Sequence, residues 1–218
     1  MSRGRKDGKR APRERSTFRE NLESLAWAVA LMLVVRTLLL QAFRIPSESM
    51  RDTLLVGDFL FVSKVDYGPR VPFTRLRLPG LRAPRRGDII VFQFPRDPSQ
   101  DYIKRCIATP GETVEIRGRR VYVNGRPIDE PYTRHSDLPE EPGAISPRDN
   151  LAPVTVPPGH LFMMGDNREN SLDSRFWGFL PMELVKGRAA FIYFSTGSKS
   201  WWDLFFHIRW NRLLRPLR

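Results

Sequence analysis

The chain has 218 residues, enough for one sizeable core or for one domain plus an anchor. Its formal charge of +12, from 36 Lys and Arg against 24 Asp and Glu, points to phosphate, carried either by nucleic acid or by anionic lipid headgroups. The single cysteine, Cys106, excludes an internal disulfide, and 19 prolines speak for a loop- and strand-rich protein rather than a helical bundle.

Residues 1–21 form a basic tail, with Arg3, Arg5, Lys6, Lys9, Arg10, Arg13, Arg15 and Arg19 against only Asp7, Glu14 and Glu20. With almost no apolar residue this tail buries nothing and is expected to be disordered. Residues 22–43 then read LESLAWAVALMLVVRTLLLQAF, close to the roughly 20 residues a helix needs to cross a bilayer. A buried core helix is the competing reading, and Arg36 favours it because a charge inside a bilayer is costly. Arg36 lies past the middle, however, and its long side chain can snorkel to a headgroup layer. A cleavable export signal is the third reading, but Phe43-Arg44-Ile45-Pro46 offers no small-residue cleavage site. An uncleaved anchor with its basic tail in the cytoplasm places residues 44–218 outside.

Beyond the anchor, strands are expected near 57–62, 88–94, 113–116, 121–123, 160–164 and 189–194, each short and rich in aromatic or β-branched residues. Turn signals at Arg86-Gly87-Asp88, Pro110-Gly111, Asn124-Gly125 and Pro158-Gly159 bound them. This spacing predicts a mainly β, antiparallel, barrel-like coiled sheet. Residues 133–153, poor in apolar side chains, read as a surface insertion. Residues 201–218 carry Arg209, Arg212 and Arg215 at helical spacing among Trp, Phe and Leu. Two readings stay open there: an interfacial segment on lipid, or a solvated basic face on a core-packed helix.

A serine hydrolase needs a hydroxyl, a base and donors for an oxyanion. Ser49, in Pro46-Ser47-Glu48-Ser49-Met50, follows the anchor directly, and Ser47 could donate beside the Ser49 N–H. On this pentapeptide alone, two polar residues capping a turn is the better reading. None of His135, His160 and His207 sits in a recognisable base context. Lys104 is an alternative base if burial lowers its pKa. It lies in the strand-like run Asp101-Tyr102-Ile103-Lys104-Arg105-Cys106-Ile107, where alternation puts Tyr102, Lys104 and Cys106 on one face. Most strand lysines simply face water.

Together these segments resemble one family. FRIPSESM, RGDIIVFQFP, DYIKRCIATPGETVEI, VYVNG and MMGDNRENSLDSRFWGFLP are similar to the ordered boxes of bacterial type I signal peptidases, from the anchor to about Phe194. The resemblance implies that Ser49 is the nucleophile, Lys104 its general base and Ser47 an oxyanion hydroxyl. It makes Ser171 the residue that holds the lysine amine, Asp173 and Arg175 a structural ion pair, and Asp166 and Asn167 supporting residues of the same box. It implies cleavage of secretory precursors after small residues at −1 and −3, through shallow apolar pockets for which Phe43, Ile45, Met50, Leu54, Leu60, Val91, Tyr102 and Ile103 are the matching candidates. No cofactor or metal is implied. The partners implied are signal peptides and membrane lipids, not nucleic acid, and the enzyme is expected to be a monomer in a bacterial cell membrane. The run Leu54–Val62, with Phe59 and Phe61, is expected to dip into lipid.

Rival readings explain less. A self-cleaving repressor with a similar Ser/Lys pair would need a DNA-binding module where the tail and anchor stand. A basic scaffold for lipid or nucleic acid leaves the boxes around Ser49, Lys104 and Ser171 unexplained. A Cys106 nucleophile has no histidine placed to activate it.

Overall fold

The first described element, helix α1 (Arg15–Val34), runs on through a π-helical turn, Val35–Leu39, and among the described residues none of its membrane-length stretch is buried. Its apolar side chains stand outward, Trp27 and Leu31 being 71% and 65% exposed. A helix apolar on all sides and unburied is what a membrane span requires. The computed structural model describes residues 15–71, 74, 76–134, 147–198 and 207–217. Most of the basic tail (1–14), the centre of the insertion (135–146, including His135) and the aromatic run 201–206 lie outside the described residues.

The helical segment ends earlier than the apolar run suggests. Phe18–Leu39 is helical and long enough to cross a membrane, whereas Leu40–Arg44 is a strand, β1. An apolar run reads alike for helix and strand, and pairing decides. Here β2 (Asp58–Ser63) offers an antiparallel partner in register from Leu40↔Ser63 to Arg44↔Phe59. Lys64, just after β2, donates to the carbonyls of Arg36 and Thr37 at 3.1 Å each, satisfying groups that the end of a helix leaves open. The start also shifts, because residues 15–21 of the expected tail are already helical.

The remaining strands are β3 (Ile89–Phe94), β4 (Asp97–Ala108), β5 (Thr113–Arg117), β6 (Arg120–Val123), β7 (Arg126–Pro127), β8 (Leu151–Thr155), β9 (His160–Met164), β10 (Leu180–Pro181), β11 (Val185–Ser195) and β12 (Arg215–Pro216). The fold is therefore mainly β. One antiparallel sheet has the order β1-β2-β11-β3-β4-β9-β10, with β12 added on β11, and a second has the order β7-β6-β5-β8. β3 lies between β11 and β4 and is buried at five of its six positions, as its unbroken apolar run IIVFQF demands. β2, nearer the edge, alternates buried and half-buried residues. Asn124 and Gly125, with φ of +52° and +74°, make the tight turn between β6 and β7 that an Asn-Gly pair signals.

Two expectations change. Leu151–Pro153 of the expected insertion belong to β8, with Val154 opposite Val114 and Leu151 opposite Ile116 on β5. A strand of five residues with two prolyl-flanked positions carries too weak an apolar signal to read alone. In the C-terminal piece, residues 207–217 hold an antiparallel bridge from Ile208 to Thr196, a three-residue 3-10 turn, Trp210–Arg212, and the short β12. Arg212 is 5% exposed and Leu217 joins the core, so the helical spacing of the arginines does not describe one face of a helix.

Candidate active site

Ser49 sits in a turn between β1 and β2 that leaves the sheet at Ile45 and returns at Asp58. Ile45 N donates to Asp58 O and Gly57 N to Ile45 O, closing the loop at its neck. Within it Leu54 N donates to Met50 O, and Met50 and Leu54 are fully buried in a core cluster with Ile45, Leu60, Val91 and Ile103. Apolar anchors under the turn leave Ser49 7% exposed at its surface. From the other side, the backbone N–H of Asn167 donates to Ser49 O at 3.1 Å, and Asn167 Nδ2 donates to Glu48 O at 3.1 Å.

Lys104 comes from the middle of β4, opposite Ile90 of β3, and is 4% exposed. Its Nζ donates to Ser49 Oγ at 2.6 Å, across 55 positions of sequence. Burial pushes the amine down from 10.5 to about 8, against the smaller opposing pull of Asp173 and Asp166 and with help from Arg175. The weakness of that pull has a structural cause. Asp166 already accepts from Arg105 Nε and Nη2 at 2.8 and 2.7 Å and from Thr53 Oγ1 at 2.6 Å. Asp173 likewise accepts from Arg175 Nε and Nη2, both at 2.8 Å, and from Gly165 N at 3.1 Å. Each carboxylate near the amine is neutralised by its own arginine, so the lysine has burial without a counter-ion. Such a group is half neutral at mildly alkaline pH and can accept a proton.

Ser47 Oγ stands 3.4 Å from Ser49 Oγ. Ser171 Oγ is buried and, among the described residues, has no hydrogen-bond partner; the lysine amine's bond goes to Ser49. Ser171 is nevertheless close to the backbone of Ser49. A Cβ built on Gly165 would lie 2.5 Å from Ser49 O, 2.6 Å from Ser171 Cβ and closer still to Ser171 Oγ. Only glycine fits between them.

An open cleft of about 430 Å³ runs over the pair, lined by Pro46, Ser47, Glu48, Ser49, residues 100–104, Asn170 and Leu172. Of the eight expected pocket residues, Tyr102 and Ile103 line this cleft. Ile45, Met50, Leu54, Leu60 and Val91 are buried in the cluster that includes Ile103, and Phe43 packs half-buried against it. Cys106 is fully buried and its thiol is pushed up to about 12 by burial, which removes it as a nucleophile. His160 makes its hydrogen bond to Pro158 O, and His207 is exposed near the C-terminus.

Arg105, Thr53 and Gly165 were not expected at the site from the sequence. Arg105 is the neighbour of Lys104 in a strand, so alternation sends it to the other face, where a buried arginine has to find a carboxylate. That was a usable signal. The roles of Thr53 and Gly165 depend on long-range contacts with no local pattern.

The family model described as signal peptidase, peptidase S26, matches residues 18–194. The chain belongs to that family. Among its relatives is the signal peptidase I of Pseudomonas aeruginosa, 36% identical over 199 residues, covering 76% of this chain and 68% of the relative. A probable signal peptidase I-1 of Synechocystis is 41% identical, covering 82% and 84% of the two chains. A solved signal peptidase I from Enterococcus faecalis is 35% identical, with a TM-score of 0.42, and covers 49% of this chain and 96% of that one. Signal peptidases of this family are serine endopeptidases, and the mainly β body after one apolar N-terminal helix agrees with the expectation.

Proposed function

We propose that this membrane-anchored serine endopeptidase removes signal peptides from exported precursors with Ser49 as nucleophile and Lys104 as general base. The observation that carries this reading is the 2.6 Å bond between Lys104 Nζ and Ser49 Oγ in a buried setting, inside a chain of the signal peptidase family.

The neutral amine of Lys104 takes the proton of Ser49 Oγ as that oxygen bonds to the scissile carbonyl carbon. The carbonyl oxygen becomes the oxyanion, stabilised by Ser47 Oγ and the Ser49 N–H. The ammonium of Lys104 returns its proton to the leaving amine as the C–N bond breaks, which frees the mature protein. Water, deprotonated by Lys104, then hydrolyses the ester and restores Ser49. Ser171, beside the site, steadies the amine when the proton moves. The Asp166–Arg105 and Asp173–Arg175 pairs fix the frame and keep anionic charge from holding the lysine protonated.

The substrate lies along the cleft over residues 100–104, with small side chains at −1 and −3 selected by the apolar wall of Ile103 and the core cluster beneath it. The basic tail stays in the cytoplasm, the helix spans the cell membrane and the β body works outside, next to the emerging cleavage site. Phe59, Phe61, Phe191, Tyr193 and Phe194 form a half-buried aromatic group on β2 and β11 that contacts lipid. The enzyme works as a monomer, with nucleophile and base supplied by the same chain. The test is cleavage, in detergent micelles, of a precursor with an Ala-X-Ala site, with the cut located by mass spectrometry. Wild type should cut after the second Ala, and folded Ser49→Ala and Lys104→Ala should not. Full activity in Lys104→Ala would place the base elsewhere.

A further inference from the structure

Asp58, at the start of β2, is fully buried, and it is met by a side chain from the far end of the sequence. Arg212 donates to it through Nε at 3.1 Å and Nη2 at 2.5 Å. The same carboxylate accepts from Leu55 N at 2.8 Å and Ser195 Oγ at 2.6 Å, so four donors fix its orientation. Arg212 Nη2 also donates to Thr53 O at 2.9 Å. A few residues away, Arg209 Nη1 donates to Val56 O at 3.1 Å. The C-terminal segment therefore holds the carbonyls and the closing carboxylate of the turn that carries Ser49.

We infer that Arg212 is a positioning residue for the nucleophile, acting through residues 53–58 of that turn. Two clamps grip the turn. In one, Asp166 accepts from Thr53 Oγ1, while Asn167 donates to the carbonyls of Ser49 and Glu48. In the other, Arg212 takes the carbonyl of the same Thr53 and the carboxylate of Asp58. Thr53 is thus held at both its side chain and its backbone. Between the clamps Met50 and Leu54 are fully buried, which ties the turn to the core. A pair needed only to neutralise Asp58 would be served by any cation. The three-way contact to one carboxylate and one carbonyl uses the planar fork that only arginine has. The bond that benefits is the one from Lys104 to Ser49, where a displacement of about 1 Å costs about 100-fold in rate.

This inference rests on Ser49 being the nucleophile, and the experiment separates the two. The full chain in detergent micelles is assayed for kcat and KM on a peptide with an Ala-X-Ala site, with far-UV circular dichroism and urea unfolding on each sample. Arg212→Lys keeps the charge with a single amine. Asp58→Asn/Arg212→Met removes both charges together, so no lone buried charge opposes folding. Ser49→Ala runs in parallel. Both Arg212 variants should be folded, with kcat lowered about 10- to 100-fold, the double variant more than Arg212→Lys, and KM within about threefold of wild type. A folded double variant with wild-type kcat overturns the role of Arg212. Cleavage by Ser49→Ala overturns the nucleophile assignment itself, and the role of Arg212 with it.

Discussion

Replacing Lys104 by Met should make the protein more stable at neutral pH while abolishing cleavage. In the folded chain burial holds the amine at about 8, whereas in the unfolded chain it returns to its ordinary 10.5. At about 1.4 kcal/mol per pH unit, that gap is a folding penalty on the order of 3 kcal/mol. The sign follows from proton counting. Between about 8 and 10.5 the unfolded chain binds a proton that the folded chain has released, so stability rises with pH across that window. Below about 8 the full penalty is present, and above 10.5 it is gone. Met has a similar length and no charge, and it forfeits only the bond to Ser49, at a cost of about 1 kcal/mol. The net gain at pH 7 is then about 2 kcal/mol, and by pH 10.5 it has turned into a loss of up to about 1 kcal/mol. Urea unfolding of wild type and Lys104→Met in the same micelles, at both pH values, measures it. A variant that is less stable at pH 7, or equally stabilised at both, would refute the picture of a buried lysine without a counter-ion.

Gly165→Ala places a methyl group against Ser49 O and Ser171, neither of which can retreat from the core. Cleavage should fall by about 100-fold or more, read as kcat on the peptide, with a destabilisation of about 1–3 kcal/mol in urea unfolding. Ser47→Ala should lower kcat by about 100- to 1000-fold with little change in KM, because its hydroxyl is used in the transition state. Ser47 is exposed, so its melting temperature should stay within a degree or two of wild type. Asp166→Asn leaves the guanidinium of Arg105, 2% exposed, without its carboxylate. A loss of about 3–5 kcal/mol in urea unfolding is expected.

The strands with strong apolar signals were legible in the sequence, as β3 with its continuous IIVFQF and β9 with HLFMM show. Strands that owe their existence to a partner were not. Leu40–Arg44 looks like the end of a helix until β2 pairs with it, and Leu151–Thr155 looks like a loop until β5 does. At the candidate site, Ser49 and Lys104 stood out only through the resemblance of their segments, because neither a serine in a turn nor a lysine in a strand is distinctive. Arg212 was misread for a physical reason. Its spacing from Arg209 and Arg215 fits a helical face, and nothing local reveals a buried carboxylate at Asp58 waiting across the fold. Gly165 likewise shows its purpose only when Ser49 and Ser171 are brought to either side of it.

The most direct test of the Ser49–Lys104 assignment is the pH dependence of kcat/KM for wild-type cleavage of the Ala-X-Ala peptide. A base that must be neutral to act, held at about 8, gives a rate that climbs tenfold per pH unit on the acid side and levels off above that value. The inflection is expected near 8, whereas one near 6.5, the ordinary range of a histidine, would contradict a lysine base.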